Sequence, residues 1–171
     1  MKTPTSSNGA FSLVEVTLSL GITAFCLLAV FGLIPVGITS NQASVEQSMA
    51  ANVATSIVAD LRAVPITSPP TEQTSRNYKV PIPAQPGGAT SHTVFFRADG
   101  KISGTPNANA IPADSPFYRA MLTVGKDPQT RGTATVVRVL ITWPALGDRA
   151  ANQDPKNFTG SFETVIALNR N

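Results

Sequence analysis

Residues able to do chemistry are few in this chain and far apart. It has one histidine, His92, and one cysteine, Cys26, so any Ser–His or Cys–His nucleophilic pair would depend on His92. No partner stands at a recognisable spacing from it, and a structural or surface histidine is the simpler assignment. One Cys and one His cannot complete a zinc site, and a single Cys excludes an internal disulfide. Gly87-Gly88 is followed by neither Gly-Lys-Ser/Thr nor a helix start, so it reads as a turn and not as a phosphate cradle. Asp148, Asn152 and Asp154 offer oxygens to a cation such as calcium, but off the EF-hand spacing, and read as a solvated loop. No catalytic residue, cofactor, resident metal or small-molecule substrate is expected.

Charge divides the chain. Residues 1–61 carry one base and three acids, whereas residues 62–171 carry twelve bases and seven acids, a net of +5. That excess would suit DNA or another polyanion. The cations are scattered, however, as Arg76/Lys79, Arg97/Lys101, Lys126/Arg131, Arg138 and Arg149, with no basic run interleaved with aromatics. Dispersed surface charge is the simpler reading, and a DNA-binding head remains the alternative. Trp143 reads as core and not as a stacking platform.

Glu15 is the one residue out of place. It sits in Phe11–Ile38, and from Val16 to Val45 no formal charge follows it. A carboxylate at mid-bilayer costs roughly 2.5–3.5 kcal/mol on insertion scales, so Glu15 either reaches water at an interface or meets a positive partner.

The elements that must position these residues follow from the apolar pattern. Val16–Ile38 is long enough to cross about 30 Å of hydrocarbon as a helix. A cleaved secretory signal would have a shorter apolar run, a basic leader and a small-residue cut site, none of which fits. Lys2 precedes the span and no Lys or Arg follows until Arg62, which sets the N-terminus inside and the remainder outside. Cys26 then lies mid-span as a small apolar filler. Beyond the span, Val45, Met49, Val53, Ile57 and Leu61, with Val58, form one helical stripe. Ser44, Glu46, Gln47, Asn52 and Asp60 occupy its other faces, and Pro65 ends the helix. Gly32 and Pro35 are the expected kink.

Strand patterns fill the rest. Ile66–Thr71 and Pro81–Gly88 read as loops. His92–Arg97 and Lys101–Ser103 flank an Asp99-Gly100 hairpin turn. Tyr118–Val124, Ala134–Trp143 and Ser161–Leu168 are the longer strands, and Pro144 terminates the second. An antiparallel sheet of four or five strands laid on the helix stripe is expected, an α+β head.

At the front of the helix the residues carry a resemblance. Gly9-Ala10-Phe11-Ser12-Leu13-Val14-Glu15-Val16 resembles the type IV prepilin cleavage and methylation motif: a small residue, Phe, three apolar or small residues, then Glu. Ala10 stands where Gly is commoner. LSLGITAFCLLAVFGLIPVGITSNQASVEQ resembles more narrowly the prepilin-like group called Verru_Chthon cassette protein B, over about the first third of the chain. The resemblance implies a type IV pilin-like fold and a short leader, residues 1–10. It implies that prepilin peptidase cuts between Ala10 and Phe11 and methylates the Phe11 amine. Residues 11–38 would be the transmembrane and assembly helix in the inner membrane, 39–64 its outer half, and 65–171 the exported head. Glu15 would neutralise the Phe11 amine of a neighbouring pilin or pseudopilin subunit. The implied function is structural, in a type IV pilus or a type II secretion pseudopilus.

Overall fold

The computed structural model describes residues 12–65, 71–83, 89–105, 111–126, 134–147 and 157–169. Among the described residues one α-helix, α1 (Leu13–Arg62), is followed by seven strands, β1 (Gln73–Thr74), β2 (Pro81–Ile82), β3 (Thr90–Phe96), β4 (Ile102–Ser103), β5 (Tyr118–Lys126), β6 (Ala134–Trp143) and β7 (Gly160–Asn169), with a short 3-10 turn at Ala145–Gly147. The chain divides into two compact units, Met1–Ser44 and Val45–Asn171.

In the first unit the helix is bare. Fifteen large apolar side chains from Leu13 to Ile38 are between 46% and 81% exposed. The helix passes through Gly32 and Pro35 without interruption. Past the proline, the Thr39 hydroxyl donates to the Pro35 and Val36 carbonyls at 3.2 and 3.0 Å.

The second unit is α+β. Its five-stranded antiparallel sheet has the order β4-β3-β5-β6-β7, and β1 and β2 pair separately. Alternation decides which side chains meet the helix. Val94, Phe96, Ala120, Leu122, Val137, Val139 and Ile141 form one core with Ala50, Val53, Ala54, Ile57 and Leu61 of α1. Among the described residues, the opposite sheet face is covered on one side. Phe95 packs there with Ala145 and Ile111, in register with Arg119 and then Thr142, both buried. Farther across, Arg138 and Glu163 are exposed and Val165 is 59% exposed.

The longer strands form where alternation places them, and β6 stops before Pro144 because proline cannot donate to the ladder. Two expectations need correction. Pro81–Ile82 is a strand and not a loop, paired Thr74↔Pro81 and Gln73↔Ile82. Two residues cannot display a period, and Pro81 is tolerated as the first residue of an edge strand. Residues 84–88 lie outside the described residues. The helix stripe is also shifted: Val45 is 58% exposed, Ala50 and Ala54 are buried, and Asp60 is only 5% exposed. Alanines let the helix backbone approach the sheet closely, which places Glu46 and Asp60 on its inner flank.

Candidate functional site

The two ends of the first-unit helix surface differ in chemistry. Val16 to Val45 is uncharged. Glu15 is the third helical residue, exposed, with its N–H donating to the Ser12 carbonyl at 3.0 Å. Ser12 precedes the helix, and its hydroxyl accepts from the Val14 N–H at 3.3 Å. Ser12-x-x-Glu15 therefore has the spacing of a capping box, and a carboxylate in the first turn also complements the helix dipole. That local role is a second reason for an acid at position 15. Ala10 and Phe11, the expected cleavage and methylation positions, lie outside the described residues. So do Asp148, Asn152 and Asp154, Gly87-Gly88, Arg131 and Arg149.

Exposing a large apolar side chain costs about 1.5–3 kcal/mol relative to burying it. Fifteen such side chains stand exposed together on one helix. Length and composition are compatible with a single membrane span. No known protein family, curated protein or solved structure matches the chain.

The head's polar groups are mostly committed to holding its parts together. Glu46 Oε2 accepts from Trp143 Nε1–H at 2.8 Å, and the Glu46 carbonyl accepts from the Tyr118 hydroxyl at 3.3 Å. The Tyr118 ring meets Trp143 edge-on at 5.8 Å. Burial raises the Tyr118 pKa above its ordinary value, and the nearby Glu46 charge adds to that. Gly160 allows this arrangement, because a Cβ there would overlap the Trp143 indole. Trp143 is thus core, 6% exposed.

Several of the described cations are engaged by acids of the head. Arg97 and Lys101 both reach Asp99, at 3.6 and 3.5 Å. Arg138 Nε donates to Glu163 Oε1 at 2.6 Å, and this bond holds the Glu163 carboxyl below its usual range. Arg119 is 1% exposed. Among the described residues no group of three or more His, Cys, Asp or Glu side chains could hold a metal ion. His92 is buried against the Tyr78 carbonyl, at 2.9 Å from its Nε2. Sequence reasoning missed Glu46, Asp60 and Arg119 as buried or half-buried polar groups, since nothing local marks their partners.

Proposed function

We propose that this chain is a prepilin-like structural subunit, anchored in the inner membrane and assembled through α1 into a type IV pilus or type II secretion pseudopilus. The observation that carries the reading is the bare apolar helix surface from Leu13 to Ile38, introduced by Gly9-Ala10-Phe11 and Glu15. Prepilin peptidase would cut after Ala10 and methylate Phe11. The apolar helix would then exchange lipid for the helices of other subunits, with Gly21 and Gly32 allowing close approach; a Cβ at either glycine meets nothing within 4 Å. Glu15 would offer its charge to a neighbour's Phe11 amine. Opposite charges about 4 Å apart attract by about 1 kcal/mol in water and about 4 kcal/mol at an effective dielectric of 20, so the pair matters only once the helices bundle.

The capping spacing around Glu15 shapes the test. Glu15→Leu removes both the charge and the cap, whereas Glu15→Gln keeps a capping side chain and removes only the charge. Recovery of each variant in sheared surface filaments is compared with its recovery in membranes of the native host. Both variants should be retained in membranes, cleaved, and lost from filaments. Normal incorporation of Glu15→Gln would reduce Glu15 to a helix cap. A mature chain still beginning at Met1, with an active peptidase present, would remove the prepilin reading altogether.

A further inference from the structure

The β1–β2 hairpin stands apart from the five-stranded sheet. Its strands are two residues long, and its tip is held to the head by side chains. From α1, the Asp60 carboxylate accepts the Asn77 N–H at 3.1 Å and the Tyr78 N–H at 3.1 Å. Ser56 Oγ and the Tyr78 hydroxyl share a hydrogen bond of 2.8 Å. From β3, His92 Nε2 lies 2.9 Å from the Tyr78 carbonyl. A carbonyl only accepts, so Nε2 carries the proton and Nδ1 of the neutral ring is the bare nitrogen. That Nδ1 is buried with no hydrogen-bond partner. Below the tip, Val80 and Ile82 are fully buried. Beside it lies a cavity of about 750 Å³ whose walls include Ala59, Asp60, Arg76, Asn77 and Tyr78. Among the described residues, one flank of the tip therefore borders this cavity.

We propose that this hairpin carries an acid-released tip, the strap, with His92 as its trigger: a proton on Nδ1 frees residues 76–79 while Val80, Ile82 and the five-stranded sheet stay folded. The added proton creates a cation and a new N–H donor at a position 2% exposed, facing no acceptor. Burial holds the ring's pKa below its ordinary value, and the bond to the Tyr78 carbonyl, which favours the cation, offsets this only in part.

The surrounding groups do not relieve the charge. Across on β5 stands Leu122, while Arg119 is on the other face of the sheet. The hairpin's own Glu72, Arg76 and Lys79 are exposed. Asp60 flanks Tyr78 from α1 and would favour a cation, but its carboxylate is engaged by two backbone amides. The sheet cannot open cheaply around His92, because β3 pairs with β5 over seven residues. The tip can open, since its release lets water reach Nδ1 at the loss of the side-chain bonds to Asn77 and Tyr78, while Val80 and Ile82 stay in the core.

Hydrogen exchange of the full chain in detergent micelles, corrected for intrinsic rates, tests this between pH 7.5 and 5. The strap should lose about tenfold more protection than β5 and β6 as the pH falls. His92 is the only histidine, so its ring proton resonances report its titration in the unmodified protein. The opening midpoint should coincide with that titration, and His92→Gln should abolish the difference between strap and sheet. Parallel loss in strap and sheet would overturn the proposal, as would a midpoint more than about one pH unit from the His92 titration. If His92→Gln does not fold, the coincidence of midpoints decides alone.

Discussion

Two stretches of the same helix meet opposite fates. From Leu13 to Ile38 large apolar residues point in every direction and none is buried. From Ala50 to Leu61 they occupy one stripe, and that stripe is buried. The backbone geometry is shared, so distribution and not helicity decides. A stripe is satisfied by one surface, here a sheet of the same chain. An apolar surface all round is satisfied only by a surrounding medium, whether lipid or a bundle of similar helices.

The sharpest way to break that comparison is to separate the stretches. A chain lacking residues 1–44 should fold and remain soluble without detergent, measured by sedimentation and circular dichroism. Continued dependence on detergent would mean that the stripe is not satisfied by its sheet. Ile57→Ala should cost about 2–5 kcal/mol in denaturant unfolding, because it opens a cavity in the core. Leu20→Ala, on the bare stretch, should leave head unfolding unchanged. Gly160→Ala should cost about 1–3 kcal/mol by forcing a methyl against Trp143, with a change in the emission of that single tryptophan. Glu46→Ala should cost about 1–3 kcal/mol, since it leaves the buried indole N–H unpaired.

Acid should act more gently. The His92 pKa is lowered in the folded chain, so between that value and the ordinary 6.5 the unfolded state binds more protons. This contribution to stability is complete above about pH 6.5 and declines as pH falls toward the folded pKa. The denaturant midpoint should therefore drop between pH 7 and 5, and His92→Gln should flatten the profile. The smallest effect belongs to the exposed Arg138–Glu163 pair. Glu163→Gln should not shift the midpoint measurably.

The sequence discloses these regions unequally. Alternation marked the long strands, as in Val137, Val139 and Ile141, and the four-residue spacing located the helix stripe. Both signals are local and periodic. Asp60 and Glu46 carry no such signal, because their burial depends on Asn77, Tyr78 and Trp143, the last 97 residues away from Glu46. The β1–β2 hairpin was unreadable for the same reason, its strands being shorter than any period. Glu15 is the reverse case: its motif was visible, whereas the Ser12 cap that competes to explain it came from the structure.

The distance from Glu46 to Trp143 also sets an order of events during synthesis. The stripe of α1 is made first, and the strands that cover it come last. At about 5–20 residues per second, the 97 residues between Glu46 and Trp143 take about 5–20 s to appear. Helix–coil relaxation takes about 0.1–1 μs, so the stripe samples its helical form many times before β3, β5 and β6 arrive in turn to cover it. Two of its five buried apolar positions are alanine, Ala50 and Ala54, which limits what a passing chain can grip while the ribosome catches up.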